Sequence, residues 1–184
     1  MINSYKPTRQ EIAAAEGKSV SDLIGPNLKV LFCGINPGLY SGAVGHHFAR
    51  PGNRFWPVLH SAGFTSRILW PFEEIHLMEK GCGITNLVNR ATARAADLTG
   101  RELEQGAARL AAKVRQYNPR ILAVLGLGAF MRAFGRREKR IGEQDEKILA
   151  TRIWVLPNPS GLNAHYQIRD LVLLFEKLRK AAEA

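Results

Sequence analysis

The chain has 184 residues, with 26 Lys+Arg against 16 Asp+Glu, a formal net charge of +10 and a pI near 10.1. That length holds one domain with its own core. The charge points to a polyanionic partner, nucleic acid or an anionic membrane, with a merely solvated basic surface as the plain alternative. Cys33 and Cys82 are the only cysteines. They cannot build a disulfide framework, a four-cysteine zinc site or an iron–sulfur cluster, and they read as buried free thiols of a reducing cytoplasm. The first residues lack the apolar segment of a signal peptide, and no run approaches a membrane span.

Pro7-Thr8 opens a short helix, with Thr8 as N-cap, Glu11 as its capping-box partner and Gly17 as its end. Residues 19–24 read as a further helical turn, and residues 1–27 as an arm packed on the domain. A strand is expected over 29–34, then a Gly/Pro break and a run of small residues. Asn53 next caps a helix that tolerates Pro57 in its first turn and stops at Gly63. Residues 70–80 read as a helix with Phe72, Ile75, Leu77 and Met78 inward and Gly81 as C-cap. Residues 82–88 read as a short buried strand. Over 100–117, Leu103, Ala107, Leu110, Ala111 and Val114 form the clearest helical stripe, ended by Asn118-Pro119. There follow a strand over 120–125, a short helix over 128–134, a basic loop over 135–142, a minor strand over 147–150 and a strand over 152–156. A closing helix spans 168–182, with Ile168, Leu171, Val172, Leu174, Phe175 and Leu178 inward. Strands alternating with helices predict a three-layer α/β/α sandwich around a mainly parallel central sheet, one domain over 1–184.

Two strand ends attract attention. Gly34-Ile35-Asn36-Pro37-Gly38 breaks the first strand, and no acid occurs between Asp22 and Glu73, while Lys29, Arg50, Arg54 and Arg67 do. Ligands of parallel α/β sheets sit at the carboxyl ends of strands, and an acid-free turn with spare cations suits an anion. Pro157-Asn158-Pro159-Ser160-Gly161-Leu162-Asn163 repeats the pattern, flanked by Lys147, Arg152 and Arg169. In a parallel sheet both ends share one edge and face one cleft. Leu162 has no core-facing register: it either tucks under its own loop or serves as an apolar wedge entering a base stack.

Other patterns carry less. Gly126-Leu127-Gly128-Ala129-Phe130-Met131 imitates a dinucleotide fingerprint, but Met131 stands where close helix packing needs a small residue, so an ordinary strand-to-helix turn is expected. The histidines form no metal-binding spacing, and His46 and His47 lack a neighbouring carboxylate or thiolate; no metal site and no P-loop are expected.

GINPGL at 34–39, FARPGNRFW at 48–56, CGITNLVNR at 82–90 and LPNPSGL at 156–162 resemble the mismatch-specific uracil-DNA glycosylases, bacterial relatives of thymine-DNA glycosylase. The resemblance runs over nearly the whole chain. It implies a monofunctional enzyme that hydrolyses the N-glycosidic bond of uracil, and of thymine or modified cytosine in relatives, in mismatched DNA. No metal and no cofactor are implied. The implied partner is double-stranded DNA with a mismatched or damaged base, met by a cytoplasmic, nucleoid-associated monomer without membrane attachment. Asn36 would orient the attacking water, Phe48 would stack on the flipped base, and Ile35, Gly38 and Asn86 would bind it. Asn158, Pro159, Ser160, Gly161 and Asn163 would form the DNA-contacting loop that carries Leu162 as its wedge.

The residue types suit this chemistry on their own terms. A base inside a duplex is out of reach, so it must be extruded and its space filled. An asparagine has no useful basicity near neutral pH; it accepts a hydrogen from water and aims the oxygen without taking the proton. Turnover is therefore expected to be slow, and best on bases that flip and leave easily. Thr92 is a weaker pocket candidate, Asp97 an alternative for activating water, and Arg132, Arg136, Arg137, Lys139 and Arg140 either phosphate contacts or a solvated loop. Several relatives carry an arginine two positions after the wedge. Here Ala164 and then His165 follow, which loosens the expected dependence on an opposite guanine. A catalytically silent nucleic-acid-binding protein of the same fold is the alternative.

Overall fold

The structure is a computed structural model that describes residues 5–137 and 140–184. Five strands form one sheet in the order β2-β1-β3-β5-β4. β1 (Val30–Gly34), β2 (Cys82–Asn86), β3 (Ile121–Leu125) and β5 (Thr151–Leu156) run parallel. β4 (Gly142–Ile148) closes one edge antiparallel to β5. The helices are α1 (Arg9–Ala13), α2 (Leu39–Val44), α3 (Phe55–Ser61), α4 (Gly100–Tyr117), α5 (Leu127–Phe134) and α6 (Ile168–Glu183).

The inner strands are apolar at nearly every position because both faces are covered. Val30, Phe32, Ile84, Ala123 and Trp154 face α3 and α6, where Phe55, Leu59, Leu171 and Phe175 pack. Leu31, Cys33, Leu122, Val124 and Val155 face α4 and α5. Phe32 anchors the first layer, edge-on to Phe55 at 5.4 Å and stacked with Phe175 at 6.0 Å. Thr99 and Glu102 cap the start of α4 reciprocally, the side chain of each bonding the other's backbone N–H, an arrangement worth about 1 kcal/mol. The sandwich and its mainly parallel sheet are as the sequence predicts.

Several elements depart from expectation. Residues 19–24 are extended: Leu23 exchanges both backbone hydrogen bonds with Ile84 at 2.8 Å, and Ser19 bridges Arg90. An isolated helical turn is too short to compete with the unpaired edge of β2. The small residues after Gly38 form α2. Pro71–Lys80 is a 3-10 helix, with only Leu77 buried and with Phe72 and Ile75 exposed, not inward. Three residues per turn rotate the face that a 3.6-residue pattern predicts. Ile168 is likewise exposed at the first position of α6. β4 begins at Gly142, so the minor strand expected at 147–150 is the end of a longer one, and Leu149 turns at φ +54°.

Candidate active site at the carboxyl ends of β1, β2 and β5

β1, β3 and β5 are parallel neighbours, so the loops after β1 and β5 do rise from one edge. Asn36 follows β1 by two residues. Its Nδ2 donates to the carbonyl oxygens of Pro37 and Arg90, both at 3.1 Å, and to Thr92 Oγ1 at 2.7 Å. Carbonyl oxygens only accept, so the amide cannot be flipped; the nitrogen end is consumed and Oδ1 is the free end. Thr92 is fully buried, and its hydroxyl donates onward to the Arg94 carbonyl. The backbone of Thr92 is held in turn, its N–H donating to the Pro37 carbonyl. Among the described residues, the Ile35 and Asn36 N–H groups have no backbone acceptor. Gly38 is exposed and is the N-cap of α2.

At the end of β1, Phe48 and Asn86 lie together against Gly34 on the α3 face of the sheet. Phe48 stands in a left-handed conformation at φ +52° and stacks on Phe55 with 4.0 Å between centroids. Asn86, the last residue of β2, is buried. A Cβ on Gly34 would lie 2.6 Å from Asn86 Oδ1 and 3.3 Å from the Phe48 ring. Glycine at the end of β1 therefore lets the Asn86 amide and the Phe48 ring approach the strand closely. Asn86 Nδ2 meets His47 Nδ1 at 3.4 Å, and His47 Nε2 donates to the Ser21 carbonyl at 3.0 Å. These contacts fix the Nε2–H tautomer, with Nδ1 as acceptor. Burial holds the His47 imidazole below its ordinary pKa, against the opposing pull of Glu74.

The acid-free impression of this stretch does not survive folding. Glu74 reaches in from the 3-10 helix, accepting from the His47 N–H and pairing with His46 Nδ1, both at 2.9 Å. His46 thus has the carboxylate partner its sequence neighbourhood lacks. Arg67 is bound to Glu73 at 2.7 Å. Nor is Arg54 a spare cation. Its guanidinium donates to the carbonyls of Pro159, Ser160, Asn163 and Tyr166, at 3.3, 2.6, 3.0 and 2.6 Å.

The loop after β5 is otherwise bonded to itself. Asn158 Oδ1 accepts from the Ser160 N–H, Asn163 Nδ2 donates to the Asn158 carbonyl, and Ser160 Oγ accepts from the Leu162 N–H. Pro159 is buried and Ser160 half-buried. Leu162 is 72% exposed, so it does not tuck under its own loop. A Cβ on Gly161 would lie 2.5 Å from the Gly52 carbonyl oxygen, so the two loops meet at their glycines.

Weaker candidates resolve differently. Asp97 caps the Arg94 N–H and pairs with its guanidinium, which occupies the carboxylate. In the basic cluster, Arg136 pairs with Glu146 and Arg140 with Asp145, while Arg132 and Arg137 are exposed and Lys139 lies outside the described residues. Both cysteines are buried free thiols; burial raises both, Cys82 to about 12. No helix among the described residues is long and apolar enough to cross a membrane. Gly34, His47 and Glu74 were not legible as site residues, and Arg54 was legible only as a spare cation beside the first turn.

The architecture is that of an α/β protein with its functional loops at one end of a parallel sheet, and it has counterparts among solved structures. The solution NMR structure of a "putative Uracil DNA glycosylase" from Methanosarcina acetivorans superposes with a TM-score of 0.51. The match covers 89% of this chain and 98% of that one at 16% identity, a likeness of fold. The sequence profile of the Uracil DNA glycosylase superfamily matches residues 21–180. The chain belongs to that superfamily and is a DNA glycosylase by family.

Proposed function

We propose that this protein excises uracil from mismatched duplex DNA by flipping the base against Phe48 and Asn86 and hydrolysing its N-glycosidic bond with a water aimed by Asn36. The observation that carries this reading is the Asn36 amide, whose nitrogen end is held by three acceptors and whose oxygen end is free. A water that donates a hydrogen to Asn36 Oδ1 presents its oxygen to C1′ of the sugar. The C1′–N1 bond breaks, its electron pair leaves with uracil, and the water proton passes to solvent or to the departing base. An abasic sugar and free uracil result.

Charge at each end of the breaking bond has a partner. The unpaired N–H groups of Ile35 and Asn36 suit the developing anion on the base, and the flanking phosphates ease positive charge on the sugar. Phe48 offers a stacking face. Asn86 offers an acceptor and, beyond its contact to His47, one further N–H, complementary to the N3–H and O4 of uracil. A wobble-paired uracil is the easiest to unpair, and Leu162 fills the space it leaves. With Ala164 in place of an arginine after the wedge, excision extends beyond strict pairing with guanine. The deciding experiment incubates a labelled G:U duplex with stoichiometric protein and then treats it with alkali. Strand breakage at the uracil is expected; an intact strand leaves a nucleic-acid-binding protein without glycosylase activity.

A further inference from the structure

We infer that Arg54 is a positioning residue for base flipping, clamping the loop that carries Leu162 to the segment that carries Phe48. The inference rests on the glycosylase reading for its functional consequence and on geometry for the clamp itself.

A wedge has to resist the base stack it enters, and unstacking costs a few kcal/mol. Leu162 has almost no packing of its own: it is 72% exposed at the tip of its loop. Its position is therefore set by its backbone, and besides the loop's own side chains that backbone is bonded to Arg54. The guanidinium of Arg54 donates to four carbonyls of the 159–166 segment, and its backbone N–H donates again to Pro159 at 3.0 Å. Two of the side-chain bonds are short, 2.6 Å long, and a charged donor strengthens each. Among the described residues no carboxylate pairs with Arg54, and this segment takes four of its five guanidinium N–H donors.

Only a planar fork of five donors reaches carbonyls that lie in several directions at once; an ammonium group does not. Arg54 is also placed to register the two loops to each other. It immediately precedes α3, six residues after Phe48 and two after Gly52, on which Gly161 rests. The distance between stacking face and wedge is thereby fixed before DNA arrives.

The test uses Arg54→Ala and Arg54→Lys in the full chain. Amide hydrogen exchange reads the clamp without reference to activity: residues 159–166 should exchange faster in both variants, with the strands of the sheet unchanged. Excision reads the consequence. The ratio of duplex G:U to single-strand uracil excision should fall about tenfold in Arg54→Ala, since misplacing a group by an ångström costs this much or more. Arg54→Lys should recover little of it. In a Leu162→Ala background the same substitution should leave the ratio where Leu162→Ala alone puts it. Unchanged exchange at 159–166 overturns the clamp. Equal loss on both substrates, with a shallower salt dependence of DNA affinity, overturns it in favour of a direct phosphate contact. If the unmodified protein cuts neither substrate, the glycosylase reading falls and hydrogen exchange still decides the clamp.

Discussion

The loops after β1 and β5 leave the same edge of one sheet and are held in opposite ways. The first is fixed from outside: the nitrogen of Asn36 is tied to residues 90 and 92, His47 to the arm at Ser21, and Phe48 to Phe55. The second is bonded to itself and to Arg54, and its tip is bare. A group that must aim a water within tenths of an ångström needs a rigid surround. A group that enters DNA must leave its side chain free and be steadied through its backbone. The contrast teaches where to look for function in each loop, in the buried hydrogen bonds of one and the exposed side chain of the other.

Four measurements break or sharpen that contrast, beginning with the largest effect. Asn36→Ala should lower abasic-site formation about 10³-fold, the scale of losing a preorganised hydrogen-bonding group in an active site, while duplex binding stays within a few-fold. If binding falls in parallel, Asn36 supports the loop and does not aim water. Gly34→Ala should cost about 10²-fold in excision, because the added methyl lies 2.6 Å from Asn86 Oδ1 and displaces that amide. An unaffected rate would place the base elsewhere. Leu162→Ala should reduce duplex excision about tenfold, roughly the worth of a buried leucine side chain in the stack, with single-strand excision little changed; equal losses would remove the wedge role.

The smallest effect is that of pH. Burial depresses the His47 pKa below the ordinary histidine value of about 6.5. As pH falls below 6.5 the unfolded chain takes up this proton before the folded one, so stability declines with falling pH in that window. Once protonated, Nδ1 becomes a donor facing the donor Nδ2 of Asn86, and excision should drop several-fold. Titrating the imidazole by NMR beside the excision rate checks this, and a midpoint above 6.5 would contradict the burial argument.

The parts of the molecule that announced themselves in sequence did so through backbone needs. Gly34, Pro37 and Gly38 mark a strand end, and Pro157, Pro159 and Gly161 mark another, so Asn36 and Leu162 were locatable. The stripe of α4 and the apolar runs of β1, β3 and β5 set the layers. Arg54 was read as a spare cation because its partners are main-chain carbonyls, which every residue has and no residue type signals. Glu74 was hidden because it arrives from 27 residues beyond His47. α2 was hidden because six residues with an internal glycine carry no measurable period. Its place is set by tertiary contact: a Cβ on Gly42 would lie 2.8 Å from that of Ala91.

The two margins of the sheet are finished differently, and this bears on how the protein behaves when crowded along DNA. The β2 margin is sealed by the arm through Leu23. The β4 margin is left open, but it runs Glu143-Gln144-Asp145-Glu146-Lys147, with its acids paired to Arg152, Arg140 and Arg136. An incoming strand would have to bury these charges to extend the ladder. Three of the 16 acids of this strongly basic chain thus stand on its far rim, where they keep neighbouring copies from stitching together edge to edge.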